Sequence, residues 1–245
     1  MRRRRDLACQ AIGLGIGLLL LGTAASAADL LTFNTKAQVT VDANGVPTEV
    51  VVPEELPAPV AQFVRTQVLQ WRFQAPERDG ERRGGQTWVM LGACAAPTAQ
   101  GYQLAIDYKG TGPGVSQVDG VLPPPAYPPR AGRNGIGTEA VVHYIVETDG
   151  TTSLEKIEYP KPGPAPHLFE DTLREWVGAL RYTPEFIDGN PVRTRMSVPV
   201  DFVMGGERPR ERKRSKAECQ AALKKEDPRR AVALDSPFRR IENPG

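Results

Sequence analysis

Between Pro123 and Met204 the hydrophobic pattern changes period twice, and that constrains the fold more than any other feature. Ala140, Val142, Tyr144 and Val146 alternate with Val141, His143, Ile145 and Glu147, the period of two of a β-strand. Asp149-Gly150 supplies a turn, and Ser153 to Tyr159 returns as a second strand. The period then lengthens. Phe169, Leu173, Trp176, Val177 and Leu180 fall on one stripe of a helix from Leu168 to Leu180, with Trp176 as its largest plug. A final strand carries Met196, Val198, Val200 and Phe202 on one face and Arg195, Ser197, Pro199 and Asp201 on the other. Hairpin, helix and strand in that order predict an antiparallel sheet with one helix on one face, an α+β arrangement.

The first half of the chain repeats this layout. Ala37, Val39 and Val41 alternate with polar residues, Asn44-Gly45 turns, and Val46 to Val52 returns until Pro53. Val60, Val64, Val68 and Trp71 place an apolar face on a helix from about Pro59 to Gln70. Trp71-Arg72-Phe73, Asp79-Gly80 and the strand from Trp88 to Leu91 follow in the order of Leu180-Arg181-Tyr182, Asp188-Gly189 and the last strand. The chain therefore reads as two small domains of one design. Tyr102, Leu104, Ile106 and Tyr108 predict one more strand. Residues 28–109 form the first domain in this reading, 110–126 a Gly/Pro-rich linker, 127–204 the second domain and 205–245 a basic tail that is partly helical, over Lys216 to Glu226, or disordered.

Six features of residues 123–204 occur in the order in which they occur in the C-terminal domain of the TonB energy-transducer family. They are the Tyr127-Pro128 entry, the strand ending at Asp149-Gly150, the Trp176 helix, the Arg181-Tyr182-Thr183-Pro184 step, the Asp188-Gly189-Asn190-Pro191-Val192 turn and Val198-Pro199 in the last strand. The stretch resembles that domain. A weaker, diverged second copy over residues 35–91 lacks the Tyr-Pro entry and the Val-Pro pair.

Pro199 cannot donate to a β-ladder, so the last strand belongs at a sheet edge with Pro199 facing outward. Physics leaves two uses for it, an edge kept for an incoming strand or an edge blunted against one. The resemblance favours the first. It implies a peptide-binding edge formed by Arg195, Met196, Ser197, Val198, Pro199, Val200 and Asp201, with the plug segment of an outer-membrane transporter or another envelope protein as the partner. It also implies a Gram-negative periplasm. Two alternatives stand beside a periplasmic binder. One is an inner-membrane-anchored energy transducer for transport across the outer membrane. The other is a structural or assembly protein whose units pair edge to edge, through the strand from Thr87 to Leu91, and leave no edge to bind.

The N-terminus supports export. Arg2 to Arg5, the apolar run from Leu7 to Gly22 and Ala25-Ser26-Ala27 read as a signal peptide over residues 1–27, cleaved before Ala28, or as a single anchor. Cleavage removes Cys9 and leaves Cys94 and Cys219, which predicts a Cys94–Cys219 disulfide. The tail from Gly205 holds twelve Lys/Arg against seven Asp/Glu, while the body from Ala28 to Met204 is net acidic. That distribution argues against a nucleic-acid binder and allows contact of the tail with an anionic membrane surface. His143 and His167 lack metal-ligand spacing, and no nucleophile or phosphate-loop motif occurs. No metal, no cofactor and no enzymatic activity are expected.

Overall fold

A computed structural model describes residues 31–98, 101–116, 122–160, 166–203 and 230–241. The signal segment, Met204 to Arg229 with Cys219, and the expected Lys216–Glu226 helix lie outside the described residues. The fold is α+β and mostly antiparallel.

The elements in chain order are β1 (Leu31–Val41), β2 (Pro47–Val51), α1 (Ala58–Leu69), β3 (Arg72–Gln74), β4 (Glu77–Arg78), β5 (Glu81–Arg82), β6 (Gly85–Thr98) and β7 (Gly101–Gly112). After β8 (Gly114–Val115) and α2 (Pro129–Arg133) come β9 (Thr138–Val146), β10 (Thr152–Glu158), α3 (His167–Ala179), β11 (Tyr182–Thr183), β12 (Glu185–Ile187) and β13 (Asn190–Val192). β14 (Thr194–Phe202), β15 (Val232–Ala233) and β16 (Arg239–Ile241) complete the chain.

The buried residues form two clusters. In one, the alternating Ala37, Val39 and Val41 of β1 meet Val64 and Val68 of α1, Phe73, Val89 and Leu91. In the other, Ala140, Val142, Tyr144 and Val146 of β9 meet Phe169, Leu173, Trp176 and Val177 of α3 and Met196, Val198, Val200 and Phe202 of β14. Both stripes fall where the sequence period places them. Trp176 is buried, and its indole N–H donates to the Pro123 carbonyl at 2.7 Å, which fastens the proline run to α3. Tyr127 of the entry motif packs edge-on against Phe169 and Phe202 and donates its hydroxyl to the Ile136 carbonyl at 2.8 Å.

The two halves share an order of strands, β2-β1-β6 and β10-β9-β14, and share their tight turns. Phe73 N–H donates to the Gly45 carbonyl and Tyr182 N–H to the Gly150 carbonyl, each at 2.9 Å. Gly45 and Gly150 have φ of 78° and 81°, and a Cβ on either would strike the carbonyl oxygen of Phe73 or Tyr182. Only glycine fits both the backbone angle and the close approach. Asp79-Gly80 and Asp188-Gly189 both have positive φ, as a two-residue hairpin turn requires.

The architecture departs from the sequence reading in four places. First, the sheets do not follow the halves. The hairpin β12–β13 belongs to the second half by sequence but joins the first sheet, pairing Phe186 with Gln86 and Ile187 with Gly85, in the order β13-β12-β6-β1-β2 with β7 on β6. Second, β6 and β7 are longer than expected, because Gly92, Ala93 and Ala95 extend β6 without a large side chain to mark the period. Third, the start of the predicted linker is strand. Gly110 to Gly112 continue β7, and β8 pairs with β11. Glycine serves close packing here, since a Cβ at Gly114 would lie 2.6 Å from the Trp88 ring. Fourth, Arg230 to Ile241 of the predicted tail is ordered into the fold. β15 pairs with β14, β16 pairs with β3, and Phe238 is fully buried in the first core. A ring that has lost all contact with water fixes its segment, whatever the charge of the neighbouring residues.

Cys94 is buried on β6. Among the described residues no helix is long and apolar enough to cross a membrane.

Candidate strand-capture edge

β14 pairs with β9 without a break in register, from Thr194 opposite Val146 to Phe202 opposite Thr138. Its other edge faces away from β9. The main chain of Arg195 points to that outer edge, since its N–H donates to the Asp235 carboxylate at 2.7 Å and its carbonyl accepts from Leu234 N–H at 2.8 Å. In an antiparallel strand the main chain alternates in direction, so Ser197, Pro199 and Asp201 point the same way. Pro199 therefore sits where its missing N–H breaks no bond to β9, the position the sequence demanded. Val198 points its main chain at β9 instead.

The side chains split largely as their pattern predicts. Met196, Val198, Val200 and Phe202 are buried in the second core, Arg195 and Asp201 are exposed and Pro199 is half-buried, but Ser197, expected on the outward face, is buried. Arg195 also pairs with Glu155 of β10 at 2.7 Å, across the intervening strand β9. Arg193 pairs with Glu147 at 2.7 Å, and that partner, together with Ser153, holds the Glu147 carboxyl below its ordinary range.

The outer edge is not bare. β15 lies antiparallel along it, Ala233 opposite Met196 and Val232 opposite Ser197. With the Asp235 and Leu234 bonds to Arg195, the chain's own tail covers residues 195–197. Among the described residues no strand pairs with the outer edge from Val198 to Phe202. The seven residues named from the sequence thus fall into a covered and an uncovered portion of one edge.

One buried polar junction had no signal in the sequence. Glu185, at the head of the β12–β13 hairpin, is fully buried where three segments meet. Its carboxylate accepts from Thr87 of β6 at 2.6 Å, Thr194 of β14 at 2.9 Å and Ser236 of the tail at 2.7 Å. Burial raises its pKa against the lowering effect of the three hydroxyls. Nearby, the Tyr144 and Tyr182 hydroxyls share a hydrogen bond of 2.6 Å, and burial pushes both phenols up. His143 lies 3.5 Å from the Glu158 carboxylate on the sheet. Among the described residues no group of His, Cys, Asp and Glu has the arrangement of a metal site.

Residues 127–202 thus form a small α+β unit, entered at Tyr127-Pro128, in which α3 packs on the sheet of β10, β9 and β14. Residues 123–204 match the family model described as Gram-negative bacterial TonB protein C-terminal. The match does not extend to residues 35–91. No curated protein matches the chain. No solved structure matches it.

Proposed function

We propose that this chain is a non-enzymatic protein-binding protein of the periplasm, which engages an outer-membrane receptor or another envelope protein by strand addition to β14. The observation that carries the reading is the outward main chain of β14 in a domain of this family, with Pro199 placed where it costs the sheet nothing. The match to a Gram-negative bacterial family supports an envelope setting. The remaining parts fit that setting. The Arg-rich, Leu-rich N-terminus serves as a signal peptide removed before Ala28. Cys219 is the partner of Cys94, tying the tail to β6 in an oxidising compartment. Residues 28–109 are a diverged copy of the unit at 127–204, as the paired Gly45 and Gly150 bonds suggest.

A second reading is favoured by a specific observation, the coverage of Arg195 to Ser197 by the tail together with the pairing of β12 on β6. In it the two halves and the tail are assembled into a closed structural unit with no edge to offer.

The test separates them. Mature protein is used to recover partners from an outer-membrane and periplasmic fraction, alongside Asp201→Pro and Asp201→Asn. Proline deletes an outward amide beyond the covered portion without touching the bonds to β9, and asparagine removes only the charge. Edge capture predicts that the proline variant loses at least about tenfold in partner recovery while the asparagine variant keeps it, a loss of about 1.4 kcal/mol. Equal recovery by all three folded forms would favour the closed unit.

A further inference from the structure

We infer that the tail strand β15 is an internal ligand of the β14 edge, and that a partner segment enters by displacing it in the same antiparallel register. The inference rests on the edge-capture reading above.

The tail from Arg230 to Ile241 is held very unevenly. Its far end is locked. Phe238 is fully buried, Ser236 bonds to Glu185, and Thr111 donates its hydroxyl to the Phe238 carbonyl. β16 pairs with β3 from Arg239 opposite Gln74 to Ile241 opposite Arg72, and the Arg240 guanidinium lies 4.5 Å from the centroid of the Trp71 ring and 5.5 Å from that of Tyr108. Its near end is held lightly. β15 is two residues long, and Val232 and Leu234 are 39% and 42% exposed. β15 is held by main-chain pairing to Met196 and Ser197, by the Asp235 and Leu234 bonds to Arg195 and by the small side chains of Ala231 and Ala233. The main-chain part of that contact is what any extended peptide reproduces. Its apolar contribution is small, from the half-buried Ala231 and Ala233 against the second core, while the large buried ring of the tail is Phe238. Release of β15 therefore leaves every fully buried side chain of both cores in place, withdraws only Ala231 and Ala233 from the rim of the second, and frees the outward groups of Arg195 and Ser197 together, adjoining the stretch from Val198 to Phe202.

The same contact describes the partner. The edge accepts a small residue opposite Met196, where Ala233 lies, and an aliphatic one opposite Ser197, where Val232 lies. Two residues beyond the small one it takes a carboxylate that caps the Arg195 N–H. A fitting segment is extended, aliphatic and followed by Asp. A charged hydrogen-bond acceptor on a backbone amide is stronger than a neutral one, so the acid supplies selectivity that main-chain pairing lacks.

The probe is a fluorescein-labelled copy of residues 230–235, Arg-Ala-Val-Ala-Leu-Asp, added in trans to the mature, oxidised protein. It is compared on wild type, on Asp235→Ala and on Leu234→Pro with Asp235→Ala, which remove the bonds to Arg195 while leaving Phe238 and β16 in place. Circular dichroism and amide exchange at Ala140–Val146 confirm the fold. The single variant carries the test should the double one fail to fold. The expected result is binding to the variants at least tenfold tighter than to wild type. Amide exchange at Arg195 and Ser197 should be faster in the variants alone and slowed again by the peptide. A peptide with Ala in place of its Asp should bind at least fivefold more weakly. Equal binding to wild type and variants, or binding to none, would overturn the inference. An overturned inference with Asp201→Pro still defective in partner recovery leaves the edge reading intact. Recovery unchanged in Asp201→Pro removes both.

Discussion

Glu185 concentrates the electrostatics of the molecule in one side chain. A carboxylic acid without solvent contact is disfavoured in its charged form, and three hydroxyl donors offset only part of that cost. Asp235 is a further charge that raises it. The linkage has a definite sign. The folded-state pKa lies above the unfolded one, so the contribution of Glu185 to stability is complete below the ordinary carboxylate range and is lost as the pH rises through the folded value. Urea midpoints of wild type should thus fall relative to Glu185→Gln between about pH 4, near the reference carboxylate pKa, and neutrality. Parallel midpoints across that window would show that the buried acid does not titrate in this sense. Nothing in the sequence marks Glu185. It follows Pro184 in an ordinary step between strands, and its burial arises because Thr87 and Ser236 arrive from 98 and 51 residues away respectively.

The elements were legible to the extent that their side chains carry a period. β9, α3 and β14 present large apolar residues at spacings of two or of 3.6, and each forms where that spacing lies. Trp176 is the clearest case, since a Trp on the apolar stripe of a lone helix has only the sheet to pack on. Trp176→Ala should cost roughly 3–5 kcal/mol, read as a lowered urea midpoint and faster exchange along β9. A shift in melting temperature of under a couple of degrees would place that ring outside the core. The ends of β6 and β7 and the strand at Gly114 were illegible for the opposite reason. Glycine and alanine carry almost no side-chain signal, and their role is to let other atoms approach, as Gly114 does beneath Trp88. The direction of the β14 main chain was legible from Pro199. Its cover was not, because β15 is too short to show a pattern.

For the whole molecule, the tail decides how the parts are joined. A basic run suggests a solvated segment, and the single clue against that is the Ser236-Pro237-Phe238 step, an aromatic among charges with no periodic neighbours. That ring completes the first core alongside Val39, Val64 and Phe73. Phe238→Ala should destabilise by about 3–5 kcal/mol. The loss should be local at first, with amide exchange rising along Ala37 to Val41 before it rises along Ala140 to Val146. Equal acceleration in both cores would mean that the two melt as one cooperative body.

The place of Phe238 near the end of the chain has a consequence for biosynthesis. The second core draws on residues 131–202 for every fully buried member, so most of its contacts are available once that stretch has emerged. The first core has β1 to β7 far earlier, but Ile187 of β12 reaches it later and Phe238 later still. N-terminal domains ordinarily fold first as a chain appears. Here the inverse order is expected: the half that is made first is completed only after residue 238 has joined it.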